Sequence, residues 1–99
     1  MLIINKTITE DKAVVAVEGR LDTVSSPELQ SALGEFIEDI TELVIDFENV
    51  DYISSAGLRV LLWAQKIMNK RGIMKITNVS EANMEIFTVT GFYDILNIV

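Results

Sequence analysis

Two adjacent serines, Ser54 and Ser55, stand between two apolar segments and are followed closely by Gly57. The segment before them, residues 43–47, is typical of a buried strand, and the segment after them is typical of a buried helix. The hydroxyls are therefore expected just ahead of a helix, where backbone N–H groups lack intrahelical partners. A phosphate on Ser55 would be stabilised there and would add roughly 1.5 to 2 negative charges. The simpler interpretation is that Ser55 caps the helix.

Catalytic chemistry is restricted because the 99 residues include no cysteine and no histidine. This absence excludes Ser-His-Asp and Cys-His catalysis, disulfides, and the thiolate or imidazole ligands of most zinc sites. The acids Asp46, Glu48 and Asp51 follow one another closely, but no glycine-centred calcium loop accompanies them. A glycine-rich phosphate loop with a following lysine is also absent. We therefore predict a protein that is not an enzyme and that binds no metal or cofactor.

The net charge of −7 is distributed unevenly along the sequence. Residues 1–51 carry twelve acids and three bases, whereas residues 52–99 carry three acids and five bases. Binding to nucleic acid is not expected, because phosphate contacts need a concentrated basic surface. Four cations do cluster, Lys66, Lys70, Arg71 and Lys75. We interpret them as the solvated end of a helix, where positive charge complements the helix dipole.

The hydrophobic periodicity predicts a single α/β domain over residues 1–99, with a mixed sheet of about four to five strands and helices packed on it. Strands are predicted at residues 2–8, 13–17, 43–47, 73–77 and 95–99, the first two as a hairpin. The nearly continuous apolar run at residues 43–47 predicts a strand covered on both faces. The longest apolar run, residues 60–64, is too short to span a bilayer, and no signal peptide is visible. The sequence thus predicts a soluble, cytoplasmic protein without a membrane span.

Three helices are expected between these strands. The first begins with Ser26 as N-cap and Pro27 at the first helical position, or with Ser25 paired to Glu28 in a capping box. The second follows the serine pair and is stopped by Gly72. The third runs from Ser80 as N-cap to about residue 89 and is broken by Gly91, as the residue types indicate.

Functional groups in an open α/β sheet gather at the carboxyl ends of the strands. Three connections qualify in the predicted order, residues 19–23, 49–55 and 90–92. Asp22 is interpreted as holding the first of these loops through an Asx-type hydrogen bond. Gly57 is interpreted as the residue that allows a helix to pack closely against a strand.

The sequence resembles the STAS domain family, and within it the bacterial anti-sigma factor antagonists. The resemblance covers nearly all 99 residues and includes the opening hairpin. It rests on GRLD at 19–22, LVIDF at 43–47, FTVTGF at 87–92 and, most specifically, YISSAGLRVLL at 52–62. Members of the family commonly have a further helix after the last strand, whereas this sequence stops at Val99.

The resemblance implies that the unphosphorylated protein binds an anti-sigma factor with serine kinase activity and so releases a sigma factor. It also implies that this partner phosphorylates Ser55 and that the phosphate abolishes binding. The implied partner surface comprises Asp22, Thr23, Ser54, Ser55, Ala56, Gly57 and Arg59. Many members carry Asp directly before the accepting serine, where this sequence has Ser54, which makes Ser54 the second candidate for the accepting hydroxyl.

Two alternatives stay open from the sequence alone. One is a STAS module that is never phosphorylated and serves as a scaffold or sensory subunit of a larger assembly. The other is an accessory module for transport of a small molecule or lipid. A switch requires an exposed Ser55 among loops that form a docking surface, whereas a ligand carrier requires an apolar pocket of roughly several hundred Å³ beside those loops.

Overall fold

The computed structural model describes residues 2–99 as a mixed four-stranded sheet in the order β1-β2-β3-β4. Strands β1 (Ile3–Thr9) and β2 (Lys12–Leu21) form the predicted antiparallel hairpin. Strands β3 (Glu42–Ile53) and β4 (Ile73–Thr77) extend the sheet in parallel. This arrangement confirms the α/β class and the mixed sheet predicted from the sequence.

The predicted terminal strand at residues 95–99 is reduced to one bridge between Ile98 and Ile76. A 3₁₀ turn at Phe92–Asp94 occupies the residues before it, so only the last few residues reach the edge of β4. Ile76 donates its N–H to the Asn97 carbonyl at 2.9 Å, and Val99 donates to the Ile76 carbonyl at 3.0 Å.

Residues 2–99 contain three α-helices, α1 (Ser26–Gly34), α2 (Ser55–Asn69) and α3 (Glu81–Thr90). Ser80 caps α3 as predicted, since its hydroxyl accepts the Asn83 N–H at 3.2 Å. Gly91 ends α3 in the left-handed region with φ of 83°. The N-cap position of α1 is Ser25, as in the second of the two predicted starts, rather than Ser26. The predicted capping bond of Ser25 is not formed, because its hydroxyl is used in the preceding loop.

The end of α2 differs from the prediction that Gly72 acts as the stop. Lys70 is the C-cap, and Gly72 is not in the left-handed region. A Cβ on Gly72 would lie 1.9 Å from the Thr41 carbonyl oxygen, far inside contact distance. Glycine is required there because the chain passes directly against the backbone before β3.

The hydrophobic core lies on one face of the sheet, which all three helices cover. Inward side chains from three strands alternate with outward ones and pair in register. They are Ala13, Val15, Val17, Leu43, Ile45, Phe47, Met74 and Ile76. On the opposite face Val14 is exposed and Val44 is half-buried, so the prediction that residues 43–47 are covered on both faces is wrong. The sheet and its helices form two layers.

The parallel strands next to the serine pair are longer than predicted. Strand β3 continues to Ile53, so the acids Glu48 and Asp51 lie within a strand rather than in a loop. Strand β2 continues to Leu21 through two irregularities in its pairing with β3, one beside Gly19, whose φ is 113°. Both strands therefore end side by side, and short connections lead directly into α1 and α2.

No helix within residues 2–99 has the length and apolar character needed to cross a membrane.

Candidate functional site

The loop after β2 and the start of α2 meet at the carboxyl edge of the sheet. Arg20 lies opposite Tyr52 in the parallel register, and Leu21 lies opposite Ile53. Ser54 donates its N–H to the Leu21 carbonyl at 2.8 Å, which fixes the serine against the end of β2. The first two connections predicted from the sequence are therefore brought together at one place.

The two serines have different roles at this junction. Ser54 is the N-cap of α2, with extended φ and ψ of −94° and 176°, and its hydroxyl accepts the Gly57 N–H at 3.4 Å. Ser55 is the first helical residue, and its side chain is exposed. The capping interpretation given to Ser55 thus belongs to Ser54, because β3 runs to Ile53 and leaves one extended residue before the helix.

The close start of α2 depends on Gly57, which is buried. A Cβ at this position would lie 2.8 Å from Ile53 Cγ1 and 3.1 Å from Leu21 Cβ. This confirms the interpretation that Gly57 permits close packing of helix against strand. Because the residue is buried, it positions Ser55 and contributes no side chain to a docking surface.

The loop after β2 is organised around the carboxylate of Asp22. Its Oδ1 accepts the Ser25 N–H at 2.9 Å and the Val24 N–H at 3.0 Å, which confirms the predicted Asx-type loop. The Ser25 hydroxyl accepts the Asp22 N–H at 3.0 Å and donates to the Arg20 carbonyl. The Ser25 N–H, followed by the Ser25 hydroxyl, holds the pKa of Asp22 below its usual 3.8, so Asp22 is ionised at neutral pH.

A shallow groove separates the first turns of α1 and α2 and has a volume of about 320 Å³. Three residues of the predicted partner surface line it: Thr23, Ala56 and Arg59. Thr23 and Arg59 are exposed, whereas Ala56 is half-buried. The remaining lining residues are Ser26, Pro27, Gln30 and Val60.

Three further residues at this edge were not in the predicted set. The Arg20 guanidinium lies 4.6 Å from the centroid of the Tyr52 ring, a cation–π arrangement across the two strands. Both belong to the segments that carry the family resemblance, but only the register pairs them. Val24, which lies beside Asp22, is 85% exposed.

The third predicted connection, residues 90–92, does not belong to this edge. In helix α3, Asn83 Nδ2 donates to the Val50 carbonyl at 3.0 Å, and Phe87 packs on Phe47 with ring centroids 6.0 Å apart. Helix α3 therefore runs antiparallel to β3. The loop after α3 lies toward the opposite end of the sheet.

The three acids considered for a cation site, Asp46, Glu48 and Asp51, do not form a cluster. Asp46 Oδ1 accepts the Glu48 N–H within β3 at 2.9 Å and the side-chain amide of Asn78, just after β4, at 3.0 Å, so its hydrogen bonds are made inside the sheet. Across residues 2–99, no three acidic side chains come together in a group that could hold a metal ion. The surface formed by the Asp22 loop and the start of α2 offers the exposed hydroxyl of Ser55 and the ionised carboxylate of Asp22. The N–H groups of Ser55 and Ala56 lie at the start of the helix, where no intrahelical acceptor exists, whereas that of Gly57 is bound by Ser54.

A family model and similar known proteins agree on the kind of domain that this chain resembles. The model of a family described as STAS domain matches residues 4–99. The anti-sigma-B factor antagonist of Bacillus subtilis (strain 168) is 33% identical over 90 residues, which are 90% of this chain and 83% of that protein. That of Staphylococcus aureus (strain NCTC 8325 / PS 47) is 32% identical over 96 residues, or 94% of this chain and 89% of that protein.

A similar solved structure is the crystal structure of an anti-sigma factor antagonist from Mycobacterium paratuberculosis. It matches with a TM-score of 0.89 at 24% identity and covers 99% of this chain and 85% of that chain. At this identity the similarity establishes the fold.

Proposed function

The chain belongs to the STAS domain family, and from this premise we propose that it is an anti-sigma factor antagonist regulated by phosphorylation of Ser55. Its unphosphorylated form binds an anti-sigma factor with serine kinase activity and so releases a sigma factor. The names of the relatives from Bacillus subtilis and Staphylococcus aureus support the role. The observation that carries the switch is the exposed hydroxyl of Ser55 at the first position of α2, beside the Asp22 loop. The protein acts by binding rather than by catalysis.

Ser55 is a better phosphate acceptor than Ser54 in this geometry. The Ser54 hydroxyl is half-buried and faces the Gly57 N–H, so transfer to it would remove a cap from α2. The Ser55 side chain reaches solvent without any rearrangement of the helix. A kinase active site needs such access to the attacking hydroxyl.

A phosphate on Ser55 would change the charge of the docking surface without a change of fold. Its oxygens would meet N–H groups of the first helical turn, which have no intrahelical acceptor. The added charge of roughly −1.5 to −2 would stand near Asp22, which is already ionised. A partner surface shaped for the neutral hydroxyl would then face concentrated negative charge, and we expect binding to be lost for this reason.

The docking surface comprises exposed and half-buried side chains around Ser55, namely Asp22, Thr23, Ser54, Ala56 and Arg59. We add Val24 and Tyr52, since both expose apolar area at the same edge. Apolar and aromatic side chains at the centre of an interface commonly contribute most of its binding energy. Gly57 acts indirectly by holding the start of α2 against Leu21.

The test is to incubate the protein with ATP and candidate kinase partners encoded in its own genome, followed by intact-mass analysis and peptide mapping. We expect one phosphate on Ser55 and none in the Ser55→Ala variant. The Ser54→Ala variant serves as the matched control and should still accept a phosphate. Phosphate on Ser54 alone would overturn the assignment of the hydroxyl.

Partner binding provides the second measurement. Ser55→Asp should weaken binding at least about tenfold, because it places a charge in the contact, whereas Ser55→Ala should retain it. Equal affinity of the two variants would contradict the switch.

One observation favours a second candidate, a STAS module that carries a ligand for a transport assembly. The groove of about 320 Å³ beside Thr23 has a volume suited to a small ligand. Its lining combines the apolar side chains of Pro27, Ala56 and Val60 with the polar side chains of Ser26, Gln30 and Arg59. Absence of phosphate transfer by every candidate kinase would favour this function or a scaffold role.

A further inference from the structure

A second surface lies at the opposite end of α2 from Ser55. A groove of about 430 Å³ runs between the C-terminal half of α2 and the 3₁₀ turn Ile37–Asp39. We call it the basic groove, and it is lined by Glu38, Trp63, Lys66, Ile67, Lys70 and Arg71. At 1.5 Å per residue, Lys70 lies roughly 20 Å along the helix axis from Ser55. The two surfaces are therefore separate.

The floor of the basic groove is apolar. Trp63 and Ile67 are four residues apart on α2, so their side chains are neighbours on one helix face. Both are half-buried and pack against the core. The indole extends over the end of α1, where a Cβ on Gly34 would lie 3.9 Å from Trp63 Cη2. The floor is thus held in place on two sides.

The rim of the groove carries three exposed cations, Lys66, Lys70 and Arg71. The salt bridges within residues 2–99 join Lys6 to Glu35 and Lys12 to Glu42, so none of the three rim cations is paired there. Arg71 donates from Nε to the Ile40 carbonyl at 3.1 Å, which orients its guanidinium at the rim. Glu38 is the single carboxylate in the lining and pairs with none of them.

The helix dipole accounts for Lys66 and Lys70 near the end of α2, but it does not account for the apolar floor or for the oriented Arg71. The remainder of the molecule is acidic, since the net charge is −7 despite these cations. A negatively charged partner is therefore repelled by most of the surface and attracted to the basic groove.

We propose that the basic groove docks an acidic peptide segment of a partner protein. In this complex an apolar side chain of the segment rests on Trp63 and Ile67, and flanking carboxylates face Lys66, Lys70 and Arg71. The surface is distinct from the one proposed around Ser55. A partner bound there leaves the phosphorylation site free.

The experiment uses a short capped peptide in which glutamates flank two leucines, titrated against the full chain. Trp63 is the only tryptophan, so its fluorescence reports occupancy of the groove directly. We expect saturable binding that weakens as salt is added. A peptide of the same length with glutamine in place of glutamate is expected not to bind.

Charge-reversal variants locate the site. Lys70→Glu should weaken peptide binding about fivefold and Lys66→Glu with Lys70→Glu about 25-fold, whereas Glu38→Gln should strengthen it about twofold. Lys75→Glu is the matched control, because it makes the same charge change on β4 outside the groove. It should change affinity by less than about twofold. Thermal unfolding of each variant checks that the fold is retained.

Three outcomes would overturn the proposal: no binding of the glutamate peptide, equal weakening by Lys70→Glu and Lys75→Glu, or a Trp63 response to ATP or to anionic vesicles but not to the peptide. Ser55→Asp should leave peptide binding unchanged. Failure of peptide binding would therefore leave the proposed Ser55 switch untouched. Failure of phosphorylation at Ser55 would likewise leave the proposed peptide site untouched.

Discussion

Ser54 and Ser55 carry the same hydroxyl but occupy different environments one residue apart. The first closes the start of α2 against Gly57 and the end of β2, and the second projects into solvent. Ser25 shows the same dependence on position, because it stands directly before α1 in the N-cap position yet its hydroxyl serves the Asp22 loop. At this scale the role of a side chain follows from which backbone groups lie within reach.

Asp22 gives a prediction about pH. Its folded pKa is lowered below 3.8, so its hydrogen bonds contribute stability that is fully present above pH 3.8 and is lost as the pH falls through the folded pKa. Asp22→Asn should therefore lower the free energy of unfolding at pH 7. The difference from the wild type should shrink as the pH falls below 3.8.

Urea unfolding over this pH range measures the effect. Asp51→Asn, which removes one exposed aspartate outside the loop, is the control for net charge. A constant difference between Asp22→Asn and the wild type at all pH values would contradict the assignment.

Helix α2 connects the surface around Ser55 with the basic groove, and its position against the sheet is set at its first turn. Ser54 N–H binds Leu21, and Gly57 allows the turn to touch Ile53. Eight to fifteen residues after Ser55, the same helix and its C-cap present the floor of the basic groove together with Lys66 and Lys70. A change in how α2 begins would move both surfaces.

Substitution of Gly57 by alanine tests this packing. Alanine favours a helix interior by about 1 kcal/mol over glycine, but a Cβ 2.8 Å from Ile53 forces the helix away from the strand at a cost of about 1 to 3 kcal/mol. We expect net destabilisation of about 1 kcal/mol, together with weaker binding of the Ser55 partner.

Gly34→Ala is the matched comparison, because a Cβ there meets its nearest neighbour at 3.9 Å, an ordinary contact. It should be neutral or stabilise by about 0.5 kcal/mol. Chemical denaturation of both variants is the measurement. Equal effects of the two alanines would rule out the proposed contact at Gly57.

The whole molecule is strongly charged for its size. Residues 1–51 carry a net −9 and residues 52–99 a net +2, and only two salt bridges join opposite charges within residues 2–99. Repulsion among the acids therefore opposes the compact state. Both predicted interactions, the partner at Ser55 and the peptide at the basic groove, occur against this negative background.

Added salt should consequently stabilise the fold. Raising sodium chloride from about 0.01 to 0.15 M shortens the Debye length from about 30 to 8 Å and screens the repulsion. We expect a gain on the order of 1 kcal/mol, which corresponds to about 4 to 8 °C in Tm for a domain of this length. Thermal unfolding at the two concentrations measures it, and a lower Tm in salt would show that attractive pairs dominate.

The sequence by itself determined the elements that depend on local chemistry. Loose alternation of apolar residues identified β1, and a short apolar run rich in β-branched residues identified β2. Ser80 and Gly91 marked the limits of α3, and Asp22 indicated the Asx-type loop that it holds. Each of these effects acts over a few neighbouring residues. The family was also readable, since the segment at 52–62 is contiguous.

The tertiary structure decided what depends on residues distant in the chain. Pairing with β2 in parallel register extends β3 to Ile53, so the N-cap of α2 is Ser54 and not Ser55. The same register places the Arg20 guanidinium over the Tyr52 ring. The helices pack on one face of the sheet and leave the other face open. Helix α3 runs antiparallel to β3, so the loop after it lies away from the edge where it was predicted. Packing also placed three of the four cations interpreted as a solvated helix end, Lys66, Lys70 and Arg71, around the groove that contains Trp63. Such contacts form when strands and helices pack together, and no local pattern specifies them.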